Sequence, residues 1–176
     1  MAQKHYVHPV GGHHECEILG GGSEAEESES NWKACKKNPG HEAFISAQDF
    51  KDNYLPRVEN DKVRDRIGVL IDLTVRLRVN WISPGRPDGY AFSDARGTDK
   101  LRVGTGFIFY VDGPKSDRPC FCYGCGGEKA NSKFWRFHVV TAHHVVYDME
   151  EAKASKVDLF YDDDNYCKPG GRMVTV

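Results

Sequence analysis

The chain lacks a long apolar run and lacks an excess of charge of either sign. Of its 176 residues 39% are apolar, and 24 Lys and Arg are balanced by 26 Asp and Glu, which gives a formal charge of -2. A transmembrane helix needs about 20 consecutive apolar residues, and the sequence has no such stretch. The charge balance offers no general attraction to nucleic acid or to an anionic membrane. We therefore expect neither nucleic acid nor a membrane as a partner.

The start of the chain also lacks the pattern of a secretory signal peptide. The first twenty residues are rich in His, Gly and Glu and contain no apolar segment of the kind that signal peptides have. We therefore expect a cytoplasmic or otherwise intracellular protein. In that environment the six cysteines are expected to remain as reduced thiols or to bind metal, rather than to form a disulfide framework.

Composition divides the chain into three parts. Residues 1–40 include an acidic, Gly- and Ser-rich run with few apolar groups, so burial cannot offset the entropy of ordering, and we expect a disordered tail. Residues 41–72 space their apolar side chains as helices do and predict a helical lead-in, which Pro56 interrupts and whose second helix covers 59–71. Residues 73–176 contain repeated short strand patterns joined by Gly- and Pro-rich turns.

The clearest strand pattern begins at Leu73, where the apolar period changes to two. Apolar and polar side chains alternate from there, which predicts one buried face and one charged, solvated face. The apolar positions are Leu73, Val75, Leu77, Val79 and Trp81, and the polar ones include Arg76 and Arg78. Further strands are expected at 101–111, 134–142, 156–161 and 172–176, with a helical turn at 150–155 capped by Asp148. The pattern predicts a mainly β fold, an antiparallel barrel or sandwich.

A histidine at the end of a strand pattern is the most informative chemical feature. The segment 134–142 is rich in apolar side chains, ends in small residues and is followed by His143 and His144. A histidine in that position lies at a barrel rim, where a substrate can reach it and where it titrates near neutral pH. Such an imidazole can act as general base to a serine hydroxyl, which is a poor nucleophile until its proton is removed. The alternative is a structural histidine at a strand end.

Two segments resemble motifs of the trypsin-like (chymotrypsin-fold) serine peptidase family. The histidine motif of the family resembles Val140-Thr141-Ala142-His143-His144-Val145, and its Gly-Ser-Gly-Phe-Ile strand is similar to Gly104-Thr105-Gly106-Phe107-Ile108. The resemblance implies that His144 is the catalytic histidine and that His143 replaces a small residue beside it. It also implies that residues 73–176 form the first β-barrel of a peptidase domain, with a peptide or protein as substrate and no required cofactor.

The acid and the nucleophile of the family have no counterpart in this sequence. The only serine after His144 is Ser155, which lies in a charged segment without flanking glycines, and the acidic run 162–164 is typical of a solvated hairpin loop. We therefore expect the N-terminal fragment of a serine endopeptidase, inactive by itself. The alternatives are a non-catalytic peptidase-like or zinc-stapled β-domain that acts as a protein-interaction module, and a degenerate, inactive peptidase homologue.

A cluster of cysteines lies in the long stretch between Gly106 and Thr141. Cys120, Cys122 and Cys125 are separated by flexible residues, and three thiols at this spacing can surround a tetrahedral zinc ion. A fourth ligand would be needed, for which Cys167 and His138 are the candidates. The alternative is a loop of free cysteines, since no second Cys-x2-Cys pair follows.

Overall fold

The computed structural model describes residues 47–116, 133–161 and 174–176, the backbone of residues 17–19, and single positions at 30, 33, 34, 36 and 45. In this part of the chain, six strands form one antiparallel sheet in the order β1-β3-β2-β5-β6, and β4 pairs with β3 as well. The strands are β1 (Glu17–Leu19), β2 (Thr74–Val79), β3 (Leu101–Lys115), β4 (Phe134–Thr141), β5 (Ser155–Leu159) and β6 (Val174–Thr175). The mainly β, antiparallel architecture is thereby confirmed, whereas the trypsin-like barrel stays a prediction.

The short strand β1 lies inside the segment for which the composition predicts disorder. Its three residues pair antiparallel with residues 101–103 at the start of β3. A neighbouring strand supplies the hydrogen-bond partners of these three residues, and the expectation of a disordered tail over residues 1–40 stays a prediction. The other five strands overlap the segments expected to be strands, although Leu73, where the first was expected to begin, is still helical.

Helices precede the sheet, as the spacing of apolar residues predicts. An α-helical turn (Ala47–Asp49), a π-helical turn (Phe50–Tyr54) and a 3-10 turn (Leu55–Arg57) are followed by helix α1 (Asp61–Leu73). The side chain of Asn60 caps α1 by accepting a hydrogen bond from the amide of Val63. No residue of α1 is buried. Within the described residues, no helix has the length and apolar character that crossing a bilayer requires.

The core forms between β2 and the long connection that follows it. Strand β2 buries alternate side chains, as its period predicts. The connection between β2 and β3 completes the core, because residues that the sequence assigns only to turns are buried there. The core cluster consists of Leu77, Val79, Ile82, Phe92, Ala95 and Val145. Helix α2 (Met149–Lys153) then leads into β5, and Asp148 caps it through the amides of Glu150 and Glu151.

The polar face of β2 differs from the solvated face that the alternation predicts. Asp158 of β5 has no exposed surface, and its carboxylate accepts hydrogen bonds from Arg76 Nε and Arg78 Nη2, each at 2.7 Å. The hydroxyl of Thr175 donates to the same carboxylate at 2.6 Å. Burial would raise the pKa of Asp158, but these hydrogen bonds outweigh it and lower the pKa. On this face of the sheet, the buried carboxylate of Asp158 therefore links β2, β5 and β6 through hydrogen bonds.

Two glycines of β3 allow close packing, one against β4 and the other against the turn that follows it. A Cβ on Gly104 would lie 2.5 Å from Cγ1 of Val145, and a Cβ on Gly106 would lie 2.6 Å from Cγ1 of Val139. No side chain can be accommodated at such distances without movement of the core. Glycine is therefore required at both positions by close approach.

We expect Gly104→Ala to lower the free energy of unfolding by about 1–3 kcal/mol, the usual cost of overpacking a core. Urea denaturation measures this change. Gly68→Ala in α1 is the matched control, since a Cβ there meets nothing within 4 Å. Alanine in that helix should stabilise the protein by about 0.5–1 kcal/mol. A Gly104→Ala variant as stable as the unaltered chain would contradict the packing of Val145 against β3.

Candidate active site

The predicted catalytic histidine lies in a tight turn directly after β4. Strand β4 ends at Thr141, and the amides of Val145 and Val146 both donate to the carbonyl of Ala142, at 2.9 and 3.3 Å. His144 is half-buried within this turn. We call residues 142–147 the histidine turn. Its position at the end of a strand agrees with the sequence expectation.

The two motifs that carry the family resemblance are in contact. Thr141 is the pairing partner of Gly106, and its hydroxyl donates to the carbonyl of Thr105 at 2.7 Å. On the other side of the histidine, Val145 is buried in the core against Gly104. The backbone is therefore fixed to β3 both before and after His144, which limits where its side chain can go.

His143 is engaged in a cluster of aromatic rings beside the turn. Its Nε2 lies 3.0 Å from the carbonyl of Tyr147, and its Nδ1 lies 3.2 Å from the hydroxyl of Tyr90. A carbonyl can only accept a hydrogen bond, so Nε2 donates to Tyr147. The ring also stacks on Tyr147, with 4.8 Å between the centroids. Both nitrogens of His143 are thus occupied by structural contacts, although its surface is exposed as expected.

A buried ion cluster lies beneath the histidine turn. Glu151 has no exposed surface and Arg86 is 1% exposed. The two form a bidentate pair, in which Arg86 Nε donates to one carboxylate oxygen at 2.6 Å and Nη2 to the other at 2.7 Å. The amides of Ser83 and Tyr147 donate to the same carboxylate, each at 2.9 Å. Glu151 thereby connects the β2–β3 connection, the histidine turn and α2.

Arg102 of β3 is the second cation of this cluster. It is fully buried, and its Nη2 lies 3.0 Å from the carboxylate of Glu151 and 2.8 Å from the carbonyl of Trp81. The ring of Phe92 lies close to both guanidinium groups, with its centroid 5.5 Å from the central carbon of Arg86 and 5.0 Å from that of Arg102. Phe92 adopts a left-handed backbone conformation with φ of 61°. Such a conformation is uncommon for a bulky residue and is maintained here by the surrounding cluster.

The pKa of the Glu151 carboxyl group follows from these surroundings. Burial would raise the pKa of its carboxyl, since a charged group is poorly solvated there. Hydrogen bonds from Arg86, Ser83 and Tyr147, together with the charge of Arg102, outweigh that effect and lower the pKa from 4.5 to about 2. The carboxylate is therefore ionised at neutral pH and holds both cations in place.

Two further residues that the sequence analysis considered, Ser155 and His138, have their recorded contacts outside the histidine turn. Ser155 donates its hydroxyl to the carbonyl of Glu151 at 2.7 Å, which ends helix α2. His138 is exposed on β4, with its ring 5.5 Å from that of Tyr110. Among the residues described, no group of three or more His, Cys, Asp or Glu is arranged to hold a metal ion. The proposed zinc ligands Cys120, Cys122, Cys125 and Cys167, and the acidic run 162–164, lie outside the described residues.

Sequence reasoning missed the ion cluster, although two signals were present. Arg102 precedes Gly104 and Gly106 at a spacing of two, so strand alternation puts it on the face that packs closely. Glu151 follows the capping Asp148 by three residues, which is the spacing of a capping box. The side chain of Glu151 reaches back as a capping-box glutamate does, but to the amide of Tyr147 and to two arginines.

We expect the lowered pKa of Glu151 to make stability depend on pH in the acidic range. Because the folded-state pKa is below 4.5, the contribution is complete above pH 4.5 and is lost as the pH falls toward 2. A shift of this size corresponds to about 3 kcal/mol. Urea denaturation between pH 2 and pH 7 measures it.

Glu151→Gln should be less stable at neutral pH by about 3–5 kcal/mol, since two buried cations lose their counter-ion. It should also lose the part of the acid-range pH dependence that Glu151 contributes, while the part from Asp158, whose pKa is lowered as well, remains. Glu150→Gln, at the exposed neighbouring position, is the control and should unfold as the unaltered chain does. Equal stability of the two variants would contradict the buried ion cluster.

Comparisons with protein-family models, with curated proteins and with solved structures find no match to this chain. The resemblance to trypsin-like peptidases therefore depends on the two motifs alone, without support from any relative. The structure contributes the positions of these motifs. The glycine segment of β3 and the histidine turn are in contact, and a buried ion cluster underlies the turn.

Proposed function

We propose that this chain carries the histidine half of a serine endopeptidase active site, with His144 as the general base. In such a peptidase His144 removes the proton of a serine hydroxyl as the serine attacks a peptide carbonyl, and then returns it to the leaving amine. The proposal also requires a serine, an acid and donors that stabilise the oxyanion, for which this sequence has no recognisable counterpart. The substrate is a peptide or a protein.

One observation carries this proposal, namely the contact between the two motifs. Strand β3 and the histidine turn are held together by the Thr141–Thr105 hydrogen bond and by the packing of Val145 on Gly104. A general base must be positioned within hydrogen-bond distance of its nucleophile, so a fixed backbone on both sides of the imidazole suits that role.

The choice between the two adjacent histidines follows from their contacts. Both ring nitrogens of His143 are occupied by Tyr90 and Tyr147. Removing a proton from a serine would require His143 to give up one of these partners. These contacts count against His143 as the general base, and the resemblance to the histidine motif favours His144.

A second candidate function is a protein-interaction module that performs no catalysis. The observation that favours it is the exposure of aromatic side chains where β3 and β4 extend beyond β2. Phe109 is 72% exposed, Trp135 59% and Tyr110 54%. Exposed apolar patches mark interaction surfaces, and these three side chains belong to one pair of adjacent strands. In that case the histidine turn would be a structural remnant of a peptidase barrel.

The test extends the chain with the coding sequence that follows Val176 in its transcript. The peptidase proposal predicts an Asp followed by a Gly-Asp-Ser-Gly-like run, and labelling of the extended protein by a fluorophosphonate, which reacts with activated serines. The chain that ends at Val176 should remain unlabelled, since loss of the serine from such a triad lowers turnover by about a million-fold.

The adjacent histidines provide a matched pair of variants. In the extended protein, His144→Gln should slow labelling by about a thousand-fold or more, because the serine loses its base. His143→Gln should retain labelling. A reading frame that ends without such a run would refute the peptidase proposal and favour the interaction module. Labelling that survives His144→Gln would also refute the proposal, because it would show that His144 is not the base.

A further inference from the structure

We propose that the buried cluster of Arg86, Glu151 and Arg102 is a positioning device for His144. This inference rests on the proposed function, because only a reacting histidine needs a fixed location. None of the three residues is proposed to contact a substrate. They act through the backbone of the histidine turn.

The cluster binds the turn at three neighbouring backbone groups. Arg86 Nη2 donates to the carbonyl of His144 at 3.0 Å, and Arg102 Nη1 lies 3.5 Å from the same oxygen. Arg102 Nη1 also donates to the carbonyl of Val145 at 3.2 Å. Glu151 accepts from the amide of Tyr147 at 2.9 Å. The backbone from His144 to Tyr147 is therefore hydrogen-bonded to charged groups. None of these groups can move without breaking an ion pair of the cluster.

The rest of the cluster fixes the two cations in turn. Arg86 Nη1 donates to the carbonyl of Ala91 at 2.8 Å, and Arg102 Nη2 donates to the carbonyl of Trp81. The rings of Phe92, Tyr90 and Tyr147 surround Arg86 at 5.4 to 5.8 Å from its central carbon. A planar guanidinium group with this many partners has one orientation, which an ammonium group in its place would not reproduce.

Stability alone does not account for this arrangement. Buried ion pairs are often no more stabilising than well-packed apolar side chains of the same volume. An apolar cluster could fill the same space, but it could not donate hydrogen bonds to the carbonyls of His144 and Val145. The charged cluster therefore donates directional hydrogen bonds to the turn, which apolar packing cannot provide.

The same sheet contains an internal control. Asp158 is also buried, and it pairs with two arginines that are partly exposed, Arg76 and Arg78. The hydrogen bonds recorded for the two arginines lead to Asp158 and Thr175, and Arg76 also lies over the ring of Tyr161. Asp158→Asn thus removes a buried counter-ion of the same kind at a different place. This variant is expected to destabilise the fold without removing a hydrogen bond to the histidine turn.

The experiment compares Glu151→Gln with Asp158→Asn in the full chain, by NMR of the histidine ring protons. The resonance of His144 is assigned from its absence in His144→Gln. Glu151→Gln should move and broaden the His144 resonance, because the turn loses its anchor, while Asp158→Asn should leave it unchanged. Should Glu151→Gln fail to fold, Arg102→Lys, which keeps the charge but not the geometry, is expected to cause the same change.

A His144 resonance that is identical in the unaltered chain and in the folded Glu151→Gln or Arg102→Lys variant would overturn the proposal. So would an equal perturbation by Asp158→Asn. In the extended protein, Glu151→Gln should slow fluorophosphonate labelling by about a hundred-fold, the usual cost of misplacing a reacting group by 1 Å. Labelling that survives His144→Gln would instead refute the peptidase function, whatever the NMR comparison gives.

Discussion

The ionised carboxylate of Glu151 is the interaction on which the rest of the site depends. It has no exposed surface, and it is paired with two arginines that are themselves buried. A buried charge without a partner costs several kcal/mol, so the three side chains are stable only as a group. Four parts of the chain meet there: the connection after β2, strand β3, the histidine turn and helix α2. The need to pair these charges therefore determines how the parts are arranged.

Apolar and polar contacts hold the histidine turn from different sides. Val145 packs on the open face of Gly104, where even a methyl group would not fit. The arginines hold the carbonyl groups of the same turn, and Thr141 attaches its beginning to β3. Packing limits how closely the turn can approach the sheet, whereas hydrogen bonds determine its direction. Together they give His144 a fixed place at the end of a strand, which is what proton transfer to a bound nucleophile requires.

The strands were predictable from the sequence, whereas the pairing of charged residues in the ion cluster was not. Alternation identified β2 because its apolar face is buried, and the small residues after β4 correctly marked where that strand ends. The connection after β2 was interpreted as turns, since Gly, Pro and charged residues are usually exposed. Arg86 lies among these residues, yet it is buried because its partner, Glu151, is 65 positions away in the sequence. Local patterns carry no information about a pair so distant, and the same holds for Arg76 and Asp158 across β2 and β5.

Amide hydrogen exchange in the unaltered chain shows whether the carboxylate of Glu151 anchors the histidine turn. The amides of Ser83 and Tyr147 lie outside the strands and helices, and each donates to the carboxylate of Glu151. If this carboxylate holds the site together, both amides should exchange as slowly as those in the centre of β2, because their exchange requires the buried cluster to open. Exchange of these two amides at the rate of an exposed loop would contradict the account, since it would show that no buried carboxylate anchors the histidine turn.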